Sequence, residues 1–279
     1  MDAVNSVVKA IRILDRLRSG GPLTFSDVQK ALDLPKSTVH KILATLEQED
    51  LVRRDPDTAR YSLGVKLIEL GSGARAQLEY RKIALPLMQD LSEAIDCTVH
   101  LSVRSHRDVM PVEAFESGSR TWPHYLFHGG VGIPAPLHAT AAGKAILAYL
   151  PDAALDAALG SAALARYTRH TIVDRAKLRA ELARIRKRGY AVSEGEHVEL
   201  VWGIAAPIRD HDGTVVASLS ALGMAARLTP ERIPGIASQV IATAAEVSRL
   251  IGYAAPPVVA VSPRARSRTV ASAPNPRVR

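Results

Sequence analysis

Between residues 34 and 63 the chain reads LPKSTVHKILATLEQEDLVRRDPDTARYSL, passing from a helical period straight into a tight hairpin. Val39, Ile42, Leu43 and Leu46 share one stripe of a 3.6-residue helix, which turns Ser37, His40, Lys41, Ala44 and Gln48 to the opposite side, with Lys36, Thr38 and Thr45 at the margins. Leu51-Val52-Arg53-Arg54 and Arg60-Tyr61-Ser62-Leu63 read as strands joined by the turn Asp55-Pro56-Asp57-Thr58. An apolar stripe needs cover, and the preceding residues supply it. Val4, Val7, Val8, Ile11, Leu14 and Leu17 predict an amphipathic helix stopped by Ser19-Gly20-Gly21-Pro22. Thr24 and Asp27 resemble a capping box opening a second helix through Val28, Ala31 and Leu32.

Two helices joined across Asp33-Leu34-Pro35-Lys36 and followed by a hairpin predict a winged helix-turn-helix over residues 1–63. The third helix is expected to enter the major groove of double-stranded DNA. Its contact residues would be Lys36, Ser37, Thr38, His40 and Lys41, while Arg53, Arg54 and Arg60 on the wing would meet phosphates or a minor groove. A three-helix unit with a merely soluble outer face competes with this reading, and the arginine hairpin in the right order favours DNA.

Bulk charge does not make that case. The net charge is +8, but residues 1–80 hold 12 Lys+Arg against 11 Asp+Glu, and residues 81–253 hold 19 against 17. Residues 254–279 hold five Arg and no acid, so most of the excess lies in a segment rich in Pro, Ser and Ala, expected to be a disordered basic tail. Cys97 is the only cysteine, which excludes an internal disulfide framework and thiol-based zinc modules. With no apolar run near the ~20 residues of a membrane span, no membrane association and a cytoplasmic location are expected.

Beyond the hairpin, residues 64–78 continue at helical spacing as a linker helix, with Gly71-Ser72-Gly73 as a plausible kink. From 79 to 253 strands are expected at 98–104, 109–115, 190–193, 200–209 and 215–222, and helices at 139–150, 175–188 and 230–251. Adjacent pairs of strands with helices grouped between them predict an α+β fold with an antiparallel sheet. The stretch His138-Ala139-Thr140-Ala141-Ala142-Gly143-Lys144 opens a helix with small residues, leaving backbone N–H groups at Ala141 and Ala142 accessible to a carboxylate. Close helix-to-sheet packing is the plainer reason for small residues there. The Gly-Lys pair fails the phosphate-loop spacing.

An enzyme is the rival class. His100, His106, His124, His128 and His138 could supply nitrogen ligands, with carboxylates from Glu194 and Glu196, for a metal-dependent or hydrolytic activity. No HExxH pair and no GxSxG elbow exists, and Glu194 and Glu196 are expected to be solvated in a turn. No catalytic residue, cofactor or metal is assigned.

The chain resembles the isocitrate lyase regulator (IclR) family of bacterial transcription factors. Residues 34–71 are similar to its winged-helix signature, PLHATAAGKAILAYLP at 136–151 to a second marker, and GYAVSEGEHVELVWGIAAPIRDHDGTVVASLSA at 189–221 to a third. The resemblance covers residues 4 to about 252. It implies a GAF-like effector-binding domain, a small-molecule effector and homodimers or homotetramers on palindromic operators. Carried across, it implies that Ser193, Val201, Gly203, Ser218 and Ser220 join Ala141 and Ala142 at the effector. Ser218 and Ser220 sit two apart on one strand, so their hydroxyls share a side. Lys41 stands where the family more often has Arg, which keeps the charge and loses the bidentate fork to guanine.

Overall fold

The computed structural model describes residues 3–116 and 130–254. The basic tail predicted at 254–279 lies outside these residues from 255 onwards, as do His124 and His128.

Three helices, α1 (Asn5–Gly20), α2 (Phe25–Leu32) and α3 (Lys36–Gln48), precede the hairpin β1 (Val52–Arg54) and β2 (Tyr61–Leu63). Their core is Ile13, Leu17, Val28, Val39, Leu43, Leu46, Val52 and Tyr61. Thr24 and Asp27 form the reciprocal capping box, each side chain accepting the other's backbone N–H, and the Thr24 hydroxyl, donating to Asp27 Oδ2 at 2.7 Å, together with the Thr24 N–H holds the Asp27 carboxyl below its usual range. Asp33 at φ 50° ends α2 in the left-handed region and lets the chain turn into α3.

Two expectations for α1 need correction. The helix runs through Ser19 and Gly20, stopping only where Gly21 adopts φ 70°. Its packed side is Ile13 and Leu17 with Ala10 and Leu14, while Val4, Val7 and Ile11 remain 65%, 54% and 53% exposed. Both sets have helical spacing, so periodicity alone does not choose between them.

The predicted linker helix becomes α4 (Lys66–Ala76), and a separate helix α5 (Glu79–Ile95) follows. The break falls at Gln77-Leu78, whereas Gly71-Ser72-Gly73 stays helical. Helix α4 buries no residue, and α5 buries Ala84, Met88, Leu91, Ser92 and Ile95 against the sheet.

The second region is built on six strands: β3 (Thr98–Ser105), β4 (Asp108–Phe115), β5 (Ala135–Pro136), β6 (Ala191–Glu194), β7 (Val201–Arg209) and β8 (Val215–Met224). Their order is β5-β4-β3-β8-β7-β6 with every pairing antiparallel, the mixed helix and sheet architecture expected. Strand alternation divides the residues between two layers. Val99, Leu101, Ile204, Ala206, Leu219 and Ala221 pack on α5 and on α9 (Ile233–Leu250). The opposite face is covered by α6 (Ala141–Leu147), α7 (Asp152–Leu159) and α8 (Arg175–Arg188). The helix expected at 139–150 is shorter than predicted, because residues Leu137–Ala139 form a 3-10 turn and Thr140 caps α6. Helices α5 and α7 had no counterpart in the sequence reading.

Candidate nucleic-acid interface and ligand cavity

In α3 the apolar stripe is buried, and Lys36, Ser37, His40 and Lys41 are exposed on the other side. Thr38 is half-buried, and Thr45 spends its hydroxyl on the Lys41 carbonyl at 2.9 Å. Pro35 precedes the helix without a side-chain cap, so the first N–H groups of α3 are open beside Lys36 and Ser37. Positive backbone ends and a lysine thus meet at one point of an exposed surface.

The wing is stiffened from within. Asp55 Oδ1 accepts from Asp57 N, Thr58 N and Thr58 Oγ1 at 3.0, 2.8 and 2.9 Å, which fixes the turn and holds its carboxyl below the usual range. The three wing arginines differ in freedom. Arg53 donates from Nε to Ser62 Oγ at 3.0 Å, which leaves the terminal nitrogens outward on an exposed side chain. Arg54 lies over the Tyr61 ring at 5.8 Å. Arg60 donates from Nη1 to the Pro22 carbonyl at 3.0 Å, and Leu23 bridges to Tyr61, so Arg60 also ties the wing to the turn before α2.

A cavity of about 80 Å³ lies between the sheet and α6. Ala141, Ala142, Val201 and Ser220 of the expected effector set line it. Ser193, Gly203 and Ser218 do not. Ser193 donates to the Ala139 carbonyl at 3.3 Å, and a Cβ on Gly203 would touch Ala141 Cβ at 3.4 Å. Gly143 is a packing residue, since a Cβ there would collide with the Leu137 backbone. The helix terminus is also partly spent: Thr140 Oγ1 accepts from Gly143 N at 3.1 Å.

The polar wall is made by facing strands. His100 pairs in register with Ser220, and Ser102 with Ser218, so all four side chains share the α6 side of the sheet. The Ser218 and Ser220 hydroxyls are buried with no hydrogen-bond partner. Burial alone pushes the His100 imidazole down to about 4, so the ring is neutral at physiological pH. The sequence singled out His100 only as a possible metal ligand. Its position opposite Ser220 depends on β3–β8 register, which spans some 120 residues of chain and leaves no local signal.

Behind α6 the structure corrects the expectation for Glu196. Glu196 is buried, not solvated, and bonds directly to the ammonium of Lys144, which also donates to the Val192 carbonyl at 2.7 Å. Burial pushes the Glu196 carboxyl up against the pull of Lys144. The loop carrying Glu196 is further held by Thr168 Oγ1 on the Gly195 carbonyl at 2.7 Å and Thr171 Oγ1 on the Glu196 carbonyl at 2.6 Å.

Among the described residues the histidines do not gather into a metal site. His138 bonds the Ala165 carbonyl at 2.9 Å and His106 is exposed. Among the described residues the one cluster with metal-ligand spacing is Asp210, His211 and Asp212 at a surface turn, outside the expected set. No described helix is long and apolar enough to cross a membrane.

Comparison with known proteins adds an independent line. The family model described as Bacterial transcriptional regulator IclR C-terminal matches residues 74–249, and that described as IclR helix-turn-helix domain matches residues 6–56. The HTH-type transcriptional regulator KipR of Bacillus subtilis (strain 168) is 34% identical over 248 residues, covering 89% of this chain and 97% of KipR. The crystal structure of the Thermotoga maritima IclR is similar at a TM-score of 0.68 and 32% identity, covering 90% of this chain and 100% of that one. An IclR homologue from Microbacterium hydrocarbonoxydans, crystallised with 4-hydroxybenzoate, shares the fold at a TM-score of 0.73 and 24% identity, over 88% of this chain and 98% of its own.

Proposed function

The chain belongs to the IclR family of bacterial transcriptional regulators, and from that premise we propose that α3 and the wing read operator DNA while the cavity beneath α6 takes a small acidic effector. It is a regulator of transcription and not an enzyme, as are its relatives. The observation that carries the DNA assignment is the exposed row Lys36, Ser37, His40 and Lys41 on a helix whose other side packs into the core, with Arg53 exposed on the adjacent wing. Thr38, Arg54 and Arg60 complete the contact set, Arg54 and Arg60 in double roles. Residues 1–63 form the DNA-binding unit, 64–78 the linker and 79–253 the effector unit.

Ala141, Ala142, Val201 and Ser220 meet the effector directly, and Ser193, Gly203 and Ser218 shape the wall behind them. The 4-hydroxybenzoate of the Microbacterium homologue is an acid of the class proposed here. Val4, Val7 and Ile11 on α1, with Val65, Ile68 and Leu70 around α4, are exposed apolar side chains of the kind a second copy covers, so a homodimer or homotetramer acts in the cytoplasm. Effector binding shifts the spacing of two α3 helices and so changes operator affinity by a coupling free energy of ~1 to 3 kcal/mol.

The test is a gel-shift titration of the upstream DNA of the protein's own gene across salt concentrations. Specific binding should fall steeply with salt, and removing Lys36 or Arg53 should lower the log–log slope by about one each. Ala141→Asp should keep DNA binding and lose its modulation by acids. Salt-independent binding, or an intact response in Ala141→Asp, contradicts the assignment.

A further inference from the structure

The cavity poses an electrostatic problem for the ligand class proposed above. Its described lining contains no lysine or arginine. Among those residues the titratable groups are His100 and His197. From β8 the neighbours are Ser220 and Leu222, from β4 Val109 and Pro111, and from α6 Ala141 and Ala142, none of which titrates. His197 and Val198 come from the segment after β6, where the His197 ring packs edge-on against Tyr167 at 4.9 Å. Lys144 is on α6, but its ammonium sits in a separate cavity with Glu181, Arg188, Glu194 and Glu196 and is already paired. A carboxylate entering alone would meet the backbone N–H groups at the start of α6 but no counter-charge, in a largely apolar space, which is unfavourable.

His100 can resolve this. It is 6% exposed, lies on the cavity wall, and faces Ser220, itself 1% exposed with an unpartnered hydroxyl. Directly opposed residues on antiparallel strands hold their Cβ atoms roughly 4.5–5.5 Å apart, so one carboxyl group can bridge an imidazole and a hydroxyl there. Among the described residues burial is the influence on the His100 ring, and it holds the ring near 4.

We infer that His100 is the specificity-determining residue of the cavity, and that its imidazole takes up one proton from solvent as a small monocarboxylate enters. The ligand stays ionised, one N–H bond forms on the ring, and the cavity gains an ion pair with no net charge. Ser220 donates to the second carboxylate oxygen. The effector is thus sensed together with a proton, and affinity rises as pH falls. This rests on the cavity being the effector site.

The experiment is calorimetry with acetate, pyruvate and benzoate, and with benzamide as an uncharged counterpart of benzoate, in buffers of different ionisation enthalpy between about pH 5.5 and pH 7.5. One or more of the acids should bind the wild type with uptake of about one proton. Its Kd should rise up to tenfold per pH unit where the ring titrates between its free and bound values. Benzamide should bind without proton uptake. His100→Phe should weaken the acid at least tenfold and abolish uptake; His100→Gln, which keeps a hydrogen bond but cannot charge, should bind with a flat pH profile and covers the case where the phenylalanine variant fails to fold. Binding of an acid without proton uptake, or uptake that persists in both His100 variants, overturns the inference and leaves the cavity assignment standing. Failure of every acid to bind, or binding undiminished in Ala141→Asp, overturns the cavity assignment and the inference together.

Discussion

The two halves of the molecule keep their polar groups in opposite ways. In the N-terminal unit Lys36, Ser37, His40, Lys41 and Arg53 are in solvent, and the fold beneath them is an ordinary aliphatic core. In the C-terminal unit His100, Ser102, Ser218, Ser220, Lys144 and Glu196 are all buried. A surface that meets a polyanion needs no desolvation in advance, because water serves each side chain until DNA replaces it. A cavity that meets one small molecule has to exclude water first, so it carries unpaired or tightly paired polar groups when empty, each orphan at a cost of about 1–3 kcal/mol. Stability and function are therefore separable in the first half and entangled in the second.

That contrast is most easily broken at Lys144. Lys144→Met leaves the Glu196 carboxylate buried without its counter-ion, and removing one partner of such a pair costs about 3–5 kcal/mol. The double variant Lys144→Met with Glu196→Leu removes both charges and should recover much of the loss, as read by urea denaturation. A single Lys144→Met variant as stable as wild type would mean that the pair contributes nothing, and the entanglement would disappear with it.

The two halves were also unequally legible. The N-terminal unit could be read from the chain because its determinants are local: a capping box four residues long, a stripe within α3, a hairpin turn closed by Asp55. In the second half the paired strands gave the α+β class and an antiparallel sheet, though not the strand order, and the family resemblance added an effector-binding domain. What could not be read was long-range. Glu196 lies 52 residues from Lys144, and from local pattern it is one more acid in a turn. His100 meets Ser220 only through β3–β8 register. Even in the local half, the buried side of α1 was misassigned, since both of its stripes are aliphatic and only α2 and α3 decide which is covered.

A smaller effect separates the halves by pH. Because His100 is held near 4 in the folded chain and returns to about 6.5 when unfolded, the unfolded state binds the extra proton between those values. Stability from this group is complete above about pH 6.5 and is lost as pH falls towards 4, amounting to about 2 kcal/mol between pH 7 and pH 5. His100→Phe should flatten that part of the acid limb in a melting series. An unchanged acid limb in the variant would mean that the ring is not buried neutral, and the cavity would lose its distinguishing group.

The smallest effects on stability belong to the exposed row, and they sharpen the comparison most. Ser37→Ala, His40→Ala, Lys36→Ala and Lys41→Ala each remove solvated atoms, so their unfolding free energies should match wild type within the roughly ±0.5 kcal/mol usual for surface changes. On DNA they should divide. Lys36→Ala, placed at the open N-terminal end of α3, should weaken specific and random duplexes alike and shed about one unit of salt slope. His40→Ala and Lys41→Ala should lose about 1–3 kcal/mol on the preferred sequence and little on random DNA, because a base contact discriminates and a phosphate contact does not. Equal losses of His40→Ala on both duplexes would place that side chain over the backbone and shift the reading surface of α3 towards Ala44 and Gln48.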